Sequence, residues 1–331
     1  MPSRAAEHIV LNGMTNVRGT PMRRSIAIGL LIAILIPVGV SAQTCEPGSV
    51  SVQILGSGGP RGNPSRYSTS YLLWVGDKAR LLLDMGGGAV GRFGEAQAKI
   101  SDLSLVAVSH LHPDHISDLP AFLWLSHEVR KEPLRIVGPS GNEAAPDFAT
   151  FLTRLFDEKS GAFPVLGATL GGKRRDVPSG PLTDGGSVRL DIGVIDVASA
   201  GPSTVFDRDE LTVTAVGIPH GNIPTLAYRV RVRNMTIVFS SDQTGIDPRF
   251  VDFARGANLL IMHLAHGAGV RNNPLHAGPA VVGRIAQEAK VGRLIVSHIG
   301  TFDLDGALAE LKTNYTGPLI VGADLQCTVV K

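Results

Sequence analysis

SLVAVSHLHPDHISDL, residues 104–119, runs from an apolar segment straight into four side chains that bind metals. Leu105 to Val108 has the Leu/Val content of a short buried strand. His110, His112, Asp114 and His115 then follow within six residues. Imidazole and carboxylate are ligands for zinc and its borderline neighbours. A tight loop at a strand end aims several such groups at one point, and Pro113 stiffens it. With only 10 His in 331 residues, this density is not a chance surface cluster.

Four neighbouring ligands cannot complete two metal shells, so partners must come from elsewhere. His220 ends TVTAVGIPH, Asp242 ends MTIVFSSD and His298 ends RLIVSH. Each is an apolar β-run feeding a polar residue at its C-terminal end, where sheet-based sites collect ligands. One such residue alone reads as a cap or turn. Three of them beside the cluster above read as ligands.

The rest of the chain alternates short β-type runs with helical stretches. Strands are expected at 50–55, 71–75, 79–84, 105–109, 134–137, 188–197, 211–217, 225–232, 235–240, 259–263, 293–297 and 318–321. Helices are expected at 119–131, 145–157, 279–289 and 304–311. This order fits an α+β architecture of packed sheets with helices outside. Residues 161–186, with a basic knot at Lys173-Arg174-Arg175, read as a surface insertion.

The motifs together resemble those of the metallo-β-lactamase-fold hydrolases, over nearly all of 50–331. The shared features are LLLDMGGG, HLHPDH and, in the family's order, His220, Asp242 and His298. The resemblance implies a four-layer αβ/βα sandwich with a dinuclear site between the sheets. By it, His110, His112 and His220 would bind the first metal. Asp114, His115 and His298 would bind the second, Asp242 would bridge both, and Asp84 would support the metal-binding loop. The stretches ILGSGGPRGNPSRYSTSYLL, GIPHGNIPTLAYRVRVRNMTIVFSSD and NNPLHAGPAVVGRIAQEAKVGRLIVSHI are similar to ribonuclease Z and its arylsulfatase-like relatives. His276 matches a ribonuclease Z histidine near the scissile group. It stands here as a catalytic acid or, equally, as a helix-start residue.

The departures narrow the expected chemistry. Ribonuclease Z carries a long tRNA-gripping arm between its third and fourth motifs. Here 21 residues separate His220 from Asp242 and read as one hairpin. The family's His-Glu-Ala-Thr segment is replaced by His263-Leu264-Ala265-His266, without the Glu. Asp242 stands where a class B β-lactamase has Cys. His263 and His266 fall on opposite faces if the strand continues, so at most one faces the metals. Each reads as a satisfied buried histidine, and His127 as a helix-surface one. Arg229, Arg231 and Arg233 share one strand face, either a solvent face or an attraction for an anionic substrate.

Composition sets the remaining bounds. With 18% charged residues the chain is neither disordered nor a coiled coil, and two Cys exclude a disulfide-dense miniprotein. Residues 22–42, MRRSIAIGLLIAILIPVGVSA, have the n-region, apolar run and small-residue cleavage site of a secretory signal, too short for a membrane span. Residues 1–42 are thus a leader, and 43–331 a single hydrolase domain with no stable membrane anchor, periplasmic or secreted. The leader carries Arg4, Arg18, Arg23 and Arg24 against Glu7, so its removal takes the net charge from +2 to −1. Nothing electrostatic then points to nucleic acid. In an oxidising compartment, Cys45 and Cys327 at opposite ends suggest a bridge.

The expected function is that of an exported dizinc hydrolase, with manganese or iron as alternative metals. A hydroxide shared by the two ions attacks a small ester, with phosphodiester and aryl sulfate the leading classes. Asp114 orients the hydroxide and His276 protonates the leaving group. Alternatives are a lactone or carboxylic-ester hydrolase, a ribonuclease Z-type 3′-tRNA endonuclease, disfavoured by the missing arm, and a non-catalytic metal-binding module. Ribonuclease Z-like proteins are often homodimers, which the resemblance extends to this chain.

Overall fold

Apolar side chains recurring at every second position sort each strand into an inner and an outer face. The computed structural model describes residues 45–126, 130, 132–171 and 188–331, all within one compact unit, Ser41–Lys331. The expected leader, His127 and the Lys173-Arg174-Arg175 knot lie outside the described residues.

The first sheet comprises β1 (Val50–Gly56), β2 (Ser70–Val75), β3 (Lys78–Leu83), β4 (Leu105–Ala107), β5 (Leu134–Pro139) and β6 (Leu190–Ile195) in sequential order. The last strand, β14 (Cys327–Val329), returns to pair antiparallel with β1. The second sheet runs in reverse order through β13 (Leu319–Val321), β12 (Leu294–Ser297), β11 (Leu259–His263), β10 (Met235–Phe239), β9 (Thr225–Val232), β8 (Leu211–Ile218) and β7 (Ser203–Arg208).

Three apolar layers follow from the alternation. Leu81 and Leu83 of β3 meet Leu226, Tyr228 and Val230 of β9 between the sheets. Leu82, on the other face of β3, packs under α1 (Ala89–Glu95), α3 (Leu119–Leu125) and α4 (Phe148–Phe156) through Phe93, Phe122 and Phe148. Leu260 and Met262 of β11 pack under α5 (Pro248–Ala254), α6 (Pro279–Glu288) and α7 (Leu304–Lys312) through Phe250, Ile285 and Leu311. The result is the expected four-layer αβ/βα sandwich. Each fully buried Leu or Phe contributes about 1.5–3 kcal/mol, so these layers dominate the stabilisation.

Differences from expectation have local causes. The described helix α3 ends at Leu125, short of 131, where Ser126 donates its hydroxyl to the Phe122 carbonyl at 2.7 Å and ends the turn. β7 and β14 were not expected: β7 buries only Val205 and Phe206, and β14 has three residues, too few for a periodic signal. The short helices α1 and α5 escaped for the same reason. The bridge expected between Cys45 and Cys327 is formed, with 5.4 Å between Cα atoms. Among the described residues no helix is long and apolar enough to cross a membrane.

Candidate metal centre

Strands β3, β4, β8, β10, β11 and β12 all deliver polar residues to one edge of the sandwich. β4 leads to His110 and His112, and the single turn α2 (Pro113–Ile116) carries Asp114 and His115. Pro113 occupies the first helical position, where its fixed φ starts the turn. Three non-glycine residues at these strand ends lie in the left-handed region: Asp84 (φ 57°), Ser241 (φ 53°) and His298 (φ 54°). Such backbone costs on the order of 1–3 kcal/mol and persists only where surroundings over-determine it.

At Asp84 those surroundings are explicit. Its carboxylate accepts from Ser109 N–H at 2.7 Å, Ser109 Oγ–H at 2.8 Å and His115 Nδ1 at 2.8 Å. The adjoining Gly86 makes room for the loop, since a Cβ there would stand 2.1 Å from the Asp114 carbonyl oxygen.

The imidazoles are oriented from behind. Ser109 Oγ, already donating to Asp84, accepts from His110 Nδ1 at 3.0 Å. His220 Nδ1 donates to the Leu275 carbonyl at 2.7 Å. Both rings therefore turn Nε2 lone pairs inward, 3.1 Å and 3.3 Å from His112 Nδ1. Asp242 Oδ2 lies 3.7 Å from His110 Nε2, 3.6 Å from His220 Nε2 and 3.5 Å from His115 Nε2. Its Oδ1 is 3.3 Å from His298 Nε2, which is also 3.2 Å from Asp114 Oδ2. Asp114 Oδ2 is 3.6 Å from His115 Nε2. Convergent lone pairs and carboxylates, nearly all buried, fit cations. His115 Nε2 is buried with no hydrogen-bond partner, as a ligand atom would be.

The Beta-lactamase superfamily domain model matches residues 80–299, two-thirds of the chain and every one of these positions. The chain belongs to this superfamily. An uncharacterized protein of Mycobacterium tuberculosis is 27% identical over 278 residues, covering 82% of this chain and 89% of its own. Ribonuclease Z of Mycobacterium marinum is 25% identical over 299 residues, covering 83% and 97%. The crystal structure of a metallo-β-lactamase fold protein from Bacillus subtilis superposes with TM-score 0.60 at 22% identity, covering 84% of this chain and 99% of that one. The protein has the metallo-β-lactamase fold and is read with its superfamily as a metal-dependent hydrolase.

All seven expected ligands of this superfamily member meet at the one edge. Asp242 lies between the His110–His112–His220 group and the group of His115 and His298. Burial holds the pKa values of His110, His112 and His220 below the usual histidine range, which keeps them neutral and free to ligate. At His115 burial opposes charge, but the carboxylates of Asp242 and Asp84 outweigh it and lift the pKa well above 6.5. At Asp242 burial is likewise outweighed, by His298 and His115, and the carboxyl is held well below its ordinary value. Asp114 follows the same pattern through its contact with His298.

Beside the cluster opens a cavity of about 320 Å³, lined among others by Arg61, His266, His276, His298 and Phe302. His276 faces Asp242 Oδ1 at 3.8 Å, its Nδ1 buried and unpartnered. Burial lowers its pKa to about 3, so in the free protein it is neutral at pH 7. A bound anionic group beside it would raise that value.

Two expectations are met only in part. β11 ends at His263, so strand alternation does not extend to His266. His263 is the satisfied buried histidine expected (Nδ1 to Asp242 Oδ1, 2.5 Å; Nε2 to Tyr71 Oη, 3.1 Å), whereas His266 is half-buried, leaves Nε2 unpartnered and lines the cavity. In the Arg229–Arg233 stripe, Arg231 and Arg233 are exposed, as a solvent face would be, and Arg229 is half-buried. Arg229 donates to the Phe253 and Arg255 carbonyls at 2.6 and 3.3 Å, capping α5, and Arg233 donates to the Gly48 carbonyl. The missed role of His263 had a signal: it continues the inner-face parity of Leu259 and Ile261.

Proposed function

We propose that this protein is an exported dizinc hydrolase of small esters, with a phosphodiester or aryl sulfate as substrate. The observation that carries the reading is Asp242, which stands between two groups of ligand atoms beside a small cavity, its Oδ2 near His110, His220 and His115 and its Oδ1 near His298. His110, His112 and His220 would hold one ion, Asp114, His115 and His298 the other, and Asp242 both. Bound there, the ions supply acidification of a water and polarisation of the ester oxygen.

The chain's own residues supply the rest. Asp114, 3.2 Å from His298 Nε2, retains a second oxygen that can accept a proton-bearing nucleophile and aim it. His276 lines the cavity 3.8 Å from Asp242 Oδ1, able to donate to a leaving-group oxygen once an anionic substrate has raised its pKa. Arg61 at the mouth favours an anionic ester. Export is supported by the 22–42 signal pattern and by the Cys45–Cys327 bridge, which suits an oxidising compartment.

A ribonuclease Z-type activity is the second reading, favoured by the name of the 25% identical relative. Against it, β9 and β10 join through Arg233 and Asn234 alone, leaving no arm between His220 and Asp242 to grip tRNA. The test compares nitrophenol release from bis(p-nitrophenyl) phosphate and p-nitrophenyl sulfate, with a tRNA precursor alongside and Asp242→Ala as control. Turnover of either nitrophenyl ester, lost in the variant, supports the proposal. Cleavage of the precursor alone replaces it with the second reading. A zinc-loaded protein inert on all three overturns both.

A further inference from the structure

Tyr71 and His263, which the hydrolytic reading leaves unused, form a buried chain of side chains ending on Asp242. His263 is 5% exposed, Asp242 2% and Tyr71 0%. His263 Nδ1 lies 2.5 Å from Asp242 Oδ1, and its Nε2 lies 3.1 Å from Tyr71 Oη. A carboxylate can only accept, so Nδ1–H donates to it. Nε2 is then an acceptor, and the Tyr71 hydroxyl donates to it. Burial holds the Tyr71 phenol far above its usual range, so that donor is retained. One tautomer satisfies every partner.

The backbone strengthens the link. His263 N–H donates to Ser240 Oγ at 3.2 Å, and Ser240 Oγ–H donates to the Ser241 carbonyl at 2.8 Å. His263 also pairs with Ser297 across β11 and β12, one residue before His298. It therefore sits between the two loops that present Asp242 and His298.

A competing arrangement exists. Donor atoms of His115, Asp242, His263 and His298 lie within 4.8 Å of one another, so His263 could replace Asp114 as a ligand. That would break its bond to Asp242. Asp114, by contrast, already faces both His115 and His298.

We propose that His263, held by Tyr71, is a positioning residue that fixes the rotamer of Asp242 between the two metal groups, and is not itself a ligand. Occupying Oδ1 from one side leaves Oδ2 turned toward His110, His115 and His220. This inference rests on the dinuclear reading above.

The test is zinc titration of the metal-free protein against a chromophoric chelator, for wild type, His263→Leu, His263→Asn and Tyr71→Phe. Asn keeps a donor near the Nδ1 position but cannot reach Tyr71, and Leu removes both bonds. Phe removes only the hydroxyl and preserves packing on Phe239, whose ring centroid is 5.6 Å away. We expect two zinc ions per chain at saturation in every variant. Affinity for one should fall about 10–100-fold in His263→Leu, be largely recovered in His263→Asn, and fall to an intermediate degree in Tyr71→Phe. One zinc per chain in both His263 variants would make His263 a ligand and overturn the proposal. So would wild-type affinity in all three, or in Tyr71→Phe alone should His263→Leu fail to fold. Failure of the wild type to bind two ions would instead sink the dinuclear reading itself.

Discussion

The carboxylate of Asp84 holds His115 by its Nδ1 at 2.8 Å, leaving Nε2 of that ring as the atom offered to the site. The same carboxylate receives two bonds from Ser109, one of them from the backbone. A single side chain thus sets the orientation of one imidazole directly and of His110 through Ser109. Its left-handed backbone is what brings the carboxylate under the loop.

Asp84→Asn should therefore weaken metal binding without removing a ligand. An amide cannot accept all three donors. Zinc affinity should drop by about 10–100-fold, as is common when an outer partner of a ligating histidine is lost. Competition with a chromophoric chelator measures it. An unchanged affinity would show that His115 is oriented by other contacts.

Zinc binding should release a proton near neutral pH. The His115 pKa is raised, so the metal-free protein keeps that ring protonated above 6.5, where free histidine has lost its proton. An ion at Nε2 must displace it. Apparent affinity should then keep rising as pH increases above 6.5, through the raised pKa, and level off only beyond it. Calorimetric titrations in buffers of different ionisation enthalpy count the released protons. A buffer-independent heat would contradict the assignment.

Asp242→Ala and His112→Ala should abolish turnover of whichever ester proves to be the substrate. Both remove proposed ligands, so the loss should exceed the 10–100-fold typical of outer partners. Steady-state rates at saturating zinc provide the check. Full activity in either variant would sink the ligand assignment.

Gly86→Ala should loosen the histidine loop. The added Cβ would stand 2.1 Å from backbone, which cannot swing aside as a side chain would. Overpacking of this kind costs about 1–3 kcal/mol. Denaturant midpoints of the metal-free variant and wild type would reveal it. Equal midpoints would mean that the loop relaxes freely.

Much of this site could be read from the chain because its candidate ligands follow strands. An apolar β-run ending in His or Asp is visible locally, and His110, His112, Asp114, His115, His220, Asp242 and His298 all fit that form. His263 did not stand out because its role depends on Tyr71, 192 residues away, and on the rotamer of Asp242. Local periodicity places His263 on the inner face with Leu259 and Ile261 but names neither partner. His266 was misjudged because alternation was carried past the end of β11. Two of the four edge strands, β7 and β14, were missed because their short runs gain their identity only from a neighbour already in place.

The Cys45–Cys327 bond closes the hydrolase domain into a covalent ring of chain, joined where β14 lies against β1. A tensile load applied between those two residues would fall on the sulfur–sulfur bond and spare the hydrogen bonds of either sheet. While that bond is intact, β1 and β14 cannot separate far from one another. The two segments it joins are in effect already stitched, and a cut in a distant surface turn would leave them held together.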